Sequence, residues 1–414
     1  MATKQEIFDL FARHVSSGKS KYFMSYGIDF IFGRREGPYI WDIDESKRLI
    51  NCHSNGGVFN LGHRNLEIIK SLQQALDDTD IGNHHFVSTK RAELAAKIAN
   101  LMPGDLKYVV FGVSGGEAID TAIKIARKAA GRKKIISAKG GYHGHTGLAL
   151  AAGNAKFSAP FLSESDDFIH VPFNDIAALE EQLDGEIAAV ILETIPATVG
   201  MLIPDNNYLP EVKKLCQRNG SLYIADEVQT GLGRTGKLWG FEHYGVEPDI
   251  VVIGKGLSGG IYPITATVIQ SKLEAVFHED PFLHISTFGG AEPGCVVAEK
   301  VLEISSSTVF LNRVNALSEI FQKGILELQK QYSSLFIEFR QKGLMMGLKM
   351  SSPDYGLFMS KACFDAGLLC VYSALDYSVV QFLPVLIIDE ALSLEIIERL
   401  SNALSILKRF IEYK

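Results

Sequence analysis

The sequence predicts an α/β fold with a large central domain around a mainly parallel sheet and a smaller α+β domain built from both chain ends. In the middle of the 414-residue chain, short apolar runs alternate with helical patterns, which is typical of a parallel sheet covered by helices. Toward both ends, long amphipathic helices and isolated strands replace this alternation. We therefore expect the smaller domain to comprise residues 1–60 and 301–414, and the large domain to comprise 61–300.

Seven apolar runs predict the strands of the central sheet, and most of them are rich in Val and Ile. They are apolar at consecutive positions, as expected for strands buried on both faces. The predicted strands are Tyr108–Phe111, Lys134–Ala138, Phe168–Pro172, Ala188–Leu192, Leu222–Asp226, Ile250–Ile253 and Ile264–Ile269. A helix over Ala118–Ala130 follows the first strand, because its apolar residues share one stripe, acidic residues begin it and Gly131 lies just beyond its end.

The chain ends carry the elements of the smaller domain. The strands predicted there are Pro38–Ile43, Arg48–Asn51, Phe336–Arg340 and Val379–Leu383, and the long helices are Leu311–Tyr332 and Ala391–Ile411. The last helix places Ile397, Leu400, Leu404 and Leu407 at helical spacing.

Composition excludes several classes of function. Lys and Arg total 41 against 48 Asp and Glu, and no basic cluster is dense enough for nucleic acid. The five cysteines are scattered without C-x-x-C spacing, so no disulfide framework or zinc site is expected. No apolar run approaches the roughly 18 residues of a membrane span, and the opening segment lacks the apolar stretch of a secretion signal. We expect a cytoplasmic protein without membrane partners or a metal.

The first candidate site is a glycine-rich turn between a strand and a helix, at residues 112–116. Open backbone N–H groups and the positive end of the helix dipole favour a bound phosphate there. The turn also fits G-x-S-x-G, the nucleophile turn of α/β-hydrolases, with Ser114 as nucleophile. A hydrolase needs a later histidine, but the last one is His284, which leaves 130 residues without any. A turn that serves packing alone is the other alternative.

A second glycine-rich run, Gly231–Leu238, approaches the phosphate-binding loop of nucleoside triphosphatases. Leu238 stands where that motif needs a hydroxyl for magnesium, so we reject this activity.

Asp226 and Lys255 each stand at the end of a buried predicted strand. Ligands of open α/β sheets bind outside the carboxyl ends of the strands, so both are well placed for chemistry. Desolvation at an apolar strand end lowers the pKa of a lysine and makes its amine nucleophilic toward an aldehyde. Together with a phosphate cup, these residues describe a pyridoxal phosphate site, which needs a Schiff-base lysine, an acid on the pyridinium nitrogen and an anion pocket.

Over nearly its whole length, the sequence strongly resembles the class III (subgroup II) aminotransferases of the fold-type I pyridoxal phosphate enzymes. Short matches lie at 37–44 and 60–63. The longer matches are VSGGEAIDTAIKIAR, GGYHGHT, ADEVQTGLGRTGKLWGFEHYGVEPDI, VIGKGLSGGIYPITA and STFGGAEPGC. The resemblance implies the fold-type I architecture, with a mainly parallel seven-stranded sheet in the large domain, and pyridoxal 5'-phosphate as cofactor.

The resemblance also implies roles for three residues at the cofactor ring. Lys255 holds the cofactor as a Schiff base and later moves the proton between the substrate's alpha carbon and the cofactor. Asp226 keeps the pyridine nitrogen protonated, so that the ring accepts electrons. Gln229 lies near the phenolic oxygen of the ring.

Further residues are implied around the phosphate and the ring face. Ser114, Gly115 and Gly116 hold the phosphate, and Tyr142 stacks on the ring. Thr287 contacts the phosphate bound in the neighbouring subunit, so the resemblance implies a homodimer with shared active sites.

The sequence departs from the family pattern at three places near the substrate and the phosphate. Glu193, the acidic residue near the substrate, is followed by Thr194 instead of the usual proline, so we expect a remodelled loop. Gly116 stands where Ala, Thr or Ser is frequent, a change that we expect to be tolerated. Gln381 stands where many relatives carry the arginine that clamps the substrate's alpha-carboxylate.

The predicted function is ping-pong transfer of an amino group from an amine or amino acid to a keto or aldehyde acceptor. An aminomutase of the glutamate-1-semialdehyde kind, or an amino-acid racemase, is the alternative on the same fold. Because Gln381 cannot replace an arginine clamp, we expect at least one substrate without an alpha-carboxylate at the usual subsite, unless another cation substitutes. Arg34, Arg35 and Arg234 are the candidates for that substitution.

Overall fold

The computed structural model describes residues 3–412, which form fifteen strands, fourteen α-helical segments and four short 3-10 helices. The strands are β1 (Phe32–Glu36), β2 (Tyr39–Asp42), β3 (Arg48–Asn51), β4 (Leu106–Gly112), β5 (Lys134–Ala138), β6 (Phe168–Val171), β7 (Ile187–Glu193), β8 (Leu222–Asp226), β9 (Ile250–Ile253), β10 (Thr265–Gln270), β11 (Phe336–Lys342), β12 (Met345–Met350), β13 (Leu368–Leu369), β14 (Val371–Tyr372) and β15 (Val379–Phe382). The helices are α1 (Lys4–His14), α2 (Ser17–Ser25), α3 (Ser54–Gly57), α4 (Leu66–Ala75), α5 (Thr89–Leu101), α6 (Gly115–Ala130), α7 (Gly147–Ala152), α8 (Ala155–Ser158), α9 (Ile176–Gln182), α10 (Tyr208–Asn219), α11 (Glu292–Ser305), α12 (Thr308–Gln331), α13 (Pro353–Asp365) and α14 (Glu390–Glu412).

The central sheet has seven strands in the order β4-β10-β9-β8-β7-β5-β6. Every neighbouring pair among β5 to β9 is parallel, and β10 alone runs antiparallel to both of its neighbours. The predicted mainly parallel seven-stranded sheet is therefore confirmed. Both faces are covered, because Ile135 packs into a core cluster with α6 while Ile136 packs into the cluster on the other face. This two-sided burial explains the continuous apolar runs of the sequence.

Two smaller sheets carry strands from the chain ends, in the orders β1-β2-β3-β13 and β11-β12-β15-β14. β13 pairs in parallel with β3, so the first of these sheets joins the N-terminal and C-terminal parts of the chain. Four of these strands are absent from the sequence prediction: β1, β12, β13 and β14. β1 is polar and largely exposed, and β13 and β14 have two residues each, so none of these three has an apolar period. The domain limits 1–60, 61–300 and 301–414 stay a prediction.

The fold brings several chain segments to one edge of the central sheet. β7, β8 and β9 are parallel and end at Glu193, Asp226 and Ile253, so their carboxyl ends lie side by side. Such an edge is where ligands of open α/β sheets bind. Within residues 3–412, no helix is both long and apolar enough to cross a membrane.

Candidate active site

A cavity of about 370 Å³ opens at this edge of the sheet. Its lining residues are Ser114, Gly115, Gly116, Tyr142, His143, Gly144, His145, Thr146, Glu193, Ile195, Asp226, Val228, Gln229, Thr230 and Lys255. Eight of the ten predicted site residues are among them. The two others lie elsewhere: Thr287 is exposed on a loop, and Gln381 is buried on β15.

The glycine-rich turn forms the N-terminus of α6. The Ser114 hydroxyl accepts a hydrogen bond from the Glu117 N–H (3.2 Å), and the Glu117 carboxylate accepts one from the Val113 N–H (2.7 Å). These two bonds fix the turn, whereas the N–H groups of Gly115 and Gly116 have no partner within the helix. The turn is thus able to bind an anion with backbone donors and the helix dipole. Ser114 acts here as the helix cap, which disfavours the hydrolase alternative.

Asp226, at the end of β8, is only 5% exposed and uses both carboxylate oxygens. Oδ2 lies 2.8 Å from Nδ1 of His143, and Oδ1 accepts a hydrogen bond from the Val228 N–H (3.1 Å). Burial alone would lower the pKa of His143, but the hydrogen bond and charge of Asp226 outweigh it and raise that pKa. The contacts with His143 and Val228 therefore fix the position of the Asp226 carboxylate, which lines the cavity.

Lys255 begins the short 3-10 helix that follows β9, with a left-handed φ of 40°. Its Nζ donates a hydrogen bond to Oε1 of Gln229 (2.8 Å). Burial lowers the pKa of Lys255, although Asp226 and Glu193 oppose this change through their charges. A larger share of this amine is therefore neutral than in a solvated lysine, and the neutral form is the nucleophile.

A left-handed turn in the N-terminal part of the chain covers Lys255, and the sequence prediction missed it. All four residues of α3 have positive φ, including Ser54 (51°) and Asn55 (49°). A Cβ on Gly56 would lie 3.2 Å from Nζ of Lys255, so glycine allows this close approach. The Ser54 hydroxyl donates to the Leu383 carbonyl (2.6 Å), which fastens the turn to the end of β15. The signal that could have found it is the run Asn55-Gly56-Gly57, because Asn and Gly are the residues that tolerate this backbone.

Two buried acids at the ends of β7 and β8 hold the loops that surround the cavity. Glu193 accepts a hydrogen bond from the backbone N–H of Tyr142 (2.9 Å), and burial raises the pKa of Glu193 to about 7. Glu227 accepts from the N–H groups of Gly240 (2.6 Å) and Phe241 (3.0 Å) and from the Thr194 hydroxyl. The Thr194 hydroxyl therefore ties the loop after β7, which the sequence predicts to be remodelled, to Glu227 at the end of β8.

Gln381 and the three candidate arginines do not line the cavity. Gln381 donates from Nε2 to the Ala197 carbonyl (3.3 Å), on the loop that carries Ile195 into the cavity. Arg234 is fully buried and donates to the Leu344 and Pro384 carbonyls and to Oδ1 of Asn60. Its guanidinium therefore stabilises the fold and is not available to a substrate in the cavity. Arg34 and Arg35 line a different cleft. Among the described residues, the cavity is therefore lined without any arginine.

The donor set and the unpaired atoms of the cavity fit pyridoxal phosphate. Nε2 of Gln229 and Nε2 of His143 are buried without a hydrogen-bond partner in residues 3–412. Nε2 of Gln229 is available to the ring oxygen that the resemblance places beside it. The N-terminus of α6 offers backbone N–H donors as a cradle for phosphate. No group of three or more His, Cys, Asp or Glu residues in this part of the chain is arranged to hold a metal ion.

Comparison with known proteins agrees with this arrangement. The family model described as "Aminotransferase class-III" matches residues 24–404. The chain belongs to the class III aminotransferases. Since these are pyridoxal phosphate-dependent enzymes, this aminotransferase uses that cofactor and transfers amino groups, and the aminomutase or racemase alternative is not favoured.

Individual relatives support the same assignment along the whole of this aminotransferase. It is 54% identical over 403 residues to an uncharacterized aminotransferase of Archaeoglobus fulgidus, covering 97% of this chain and 95% of that protein. It is 34% identical to a putrescine aminotransferase of Pectobacterium atrosepticum, covering 89% and 82% of the two chains. The crystal structure of the ornithine aminotransferase of Toxoplasma gondii superposes with a TM-score of 0.91 at 25% identity, covering 99% of this chain and 96% of that one.

Proposed function

We propose that Lys255 is the residue that carries the cofactor and moves the proton during amino transfer in this enzyme. The observation that carries this assignment is the position of its amine, 2.8 Å from Gln229 in the cavity that Asp226 also lines. The lowered pKa of Lys255 leaves its amine able to attack an aldehyde and later to accept a proton. The bound cofactor supplies an electron-accepting ring that stabilises negative charge on the substrate's alpha carbon.

The other lining residues bind and orient the cofactor. Asp226, held by His143, would keep a proton on the ring nitrogen. The N–H groups of Gly115 and Gly116, together with Ser114, would hold the phosphate. Tyr142, whose backbone N–H is fixed by Glu193, would pack against the ring. The neighbouring rings of His145 and Phe157 contact Tyr142 edge-on at 5.5 Å each, which restricts its rotation.

The amino donor or acceptor of this enzyme includes an amine or aldehyde that has no alpha-carboxylate at the usual subsite. The cavity is lined by Glu193 and Asp226 and by no arginine among the described residues, and Gln381 is turned to the Ala197 carbonyl. An arginine makes bidentate, charge-assisted bonds to a carboxylate, which a neutral amide cannot do. The name of the Pectobacterium relative, a putrescine aminotransferase, supports a diamine as the first donor to assay.

The enzyme acts as a homodimer in the cytoplasm, with Thr287 reaching the phosphate of the partner subunit. Thr287 lies on an exposed loop whose apolar side chains also face outward, with Ile285 48% and Phe288 57% exposed. Exposed apolar residues grouped in this way favour a protein interface. The five cysteines are all free, as is typical of a reducing compartment.

The experiment that tests this function is a spectrum of the purified enzyme with single amines. A donor should convert the bound cofactor to its pyridoxamine form, and a keto acid or aldehyde should reverse the change. Racemisation of one enantiomer without this conversion, or return of nitrogen to the same substrate without an acceptor, contradicts the proposal. Sedimentation of the same sample tests the dimer.

A further inference from the structure

Thr146 lies on the loop between β5 and α7, and this loop is fastened to α6. Gly144 has a φ of 123°, and a Cβ on it would lie 2.7 Å from Cα of Gly116. Farther along, Asp120 of α6 accepts a hydrogen bond from the Ala149 N–H (2.7 Å). These two contacts hold the segment 144–149 against the first turns of α6.

The Thr146 side chain occupies the space that a side chain at position 116 would need. A Cβ on Gly116 would lie 2.7 Å from Oγ1 of Thr146 and 3.2 Å from Cγ2. Thr146 precedes α7, but its hydroxyl makes no capping hydrogen bond to that helix. Among the described residues it therefore remains available, and it lines the same cavity as Ser114, Gly115 and Gly116.

We propose that the Thr146 hydroxyl is a phosphate ligand of the cofactor, supplied from the neighbouring loop because position 116 has no side chain. This inference rests on the proposed cofactor site. The hydroxyl lies over the N-terminus of a 16-residue helix, where anions are favoured, and it donates one hydrogen bond to a phosphate oxygen. Gly116 and Thr146 thus form one unit, in which glycine at one position makes room for the hydroxyl of the other.

The test measures cofactor affinity instead of turnover. Apoenzyme is titrated with pyridoxal phosphate and with pyridoxal, which lacks the phosphate but keeps the aldehyde that reacts with Lys255. Thr146→Val has nearly the shape of threonine without its hydroxyl, and Thr146→Ser keeps the hydroxyl as the matched control. Loss of one hydrogen bond to a charged group predicts pyridoxal phosphate affinity about 10- to 100-fold lower in the valine variant. Pyridoxal affinity should change less than about threefold, because its complex lacks that bond.

A swap of the two positions separates a direct contact from a packing effect. Gly116→Ser alone should weaken pyridoxal phosphate binding, because the serine Cβ collides with Thr146. Combined with Thr146→Ala, the same serine has room and returns a hydroxyl to the cup, so the double variant should bind better than Thr146→Ala alone. Equal affinity of the wild type and Thr146→Val for pyridoxal phosphate, or equal losses for both ligands, overturns the inference while leaving the cofactor site intact. Wild-type enzyme that binds no pyridoxal phosphate overturns both proposals.

Discussion

Replacement of Asp226 by asparagine removes the acid at the centre of the proposed mechanism while preserving its shape. Both oxygens of Asp226 are in use, one toward His143 (2.8 Å) and one toward the Val228 N–H (3.1 Å). An amide has only one acceptor oxygen, so the variant can accept at most one of these two hydrogen bonds. We expect the charge-assisted bond to His143 to be lost, because the amide carries no charge and burial then leaves His143 neutral.

The size of the effect follows from the charge-assisted bond that Asp226 would make to the protonated ring nitrogen of the cofactor, which the asparagine cannot make. A hydrogen bond to a charged group contributes about 1.5–3 kcal/mol, which corresponds to about a 10- to 100-fold change in a rate constant. The neutral amide also fails to keep the ring nitrogen protonated, so the first half-reaction should slow by at least that factor. Stopped-flow absorbance with a saturating amine donor measures this rate constant directly. NMR titration should show the pKa of His143 below its wild-type value.

Asp249→Asn is the matched control. Asp249 is also a buried aspartate, bonded to the Tyr223 N–H (2.9 Å) and paired with Lys213 (2.6 Å), but it does not line the cavity. It should lose a similar amount of folding stability and retain the half-reaction rate. A near wild-type rate in Asp226→Asn, or an equal loss in Asp249→Asn, refutes the assigned role of Asp226.

Three further predictions follow from the same geometry. Lys255→Ala should abolish turnover and borohydride-stable labelling, and a pyridoxyl group found by mass spectrometry on another lysine contradicts the assignment. Gln381→Arg should raise catalytic efficiency for 2-oxoglutarate by roughly one or two orders of magnitude and lower it for aldehydes; no change for either shows that Gln381 does not discriminate. Burial raises the pKa of Glu227 from 4.5 to about 7, so the folded protein binds the extra proton and loses stability as pH rises through that range. From pH 5 to pH 8, the free energy of unfolding of Glu227→Gln, measured in urea, should therefore rise by about 2–3 kcal/mol relative to that of the wild type. Unfolding free energies that change in parallel over this pH range contradict this prediction.

The central sheet could be predicted from the sequence because its strands are buried on both faces. β5, β8 and β9 have the predicted bounds, since each is a short apolar run between polar residues. β1 could not be predicted in this way, because Arg34, Arg35 and Glu36 give it no apolar face. It pairs with β2 as an antiparallel hairpin with an irregular register, so its place in the sheet depends on the backbone hydrogen bonds to β2 and not on an apolar face of its own. A half-exposed edge strand carries little periodic signal.

The parts of the candidate site that could be predicted are those in which a reactive side chain or a glycine-rich turn directly follows a buried strand. Lys255, Asp226 and the turn at 114–116 carry that signal locally, and the structure brings them to one cavity. The partners that support them are distant in sequence and were not predicted. His143 pairs with Asp226 across 83 residues, and Ser54 bonds Leu383 across 329. Such pairs form only when the fold brings distant loops together at the edge of the sheet, and a local sequence pattern does not contain this information.

The left-handed turn at Ser54–Gly57 lies against the Lys255 amine, and contacts with both ends of the chain hold it in place. An L-residue in this conformation costs roughly 1–2 kcal/mol, so Ser54 and Asn55 together store a few kcal/mol that the surrounding bonds must offset. Ser54 is held from both sides, by the side chain of Asn51 (2.7 Å) and by the Leu383 carbonyl (2.6 Å). The turn is therefore fixed only when strands from both ends of the chain are in place, because Leu383 follows β15 directly. Closure of the cavity around the Lys255 amine thus depends on assembly of the chain ends, whereas the acid and the phosphate cup belong to the central sheet.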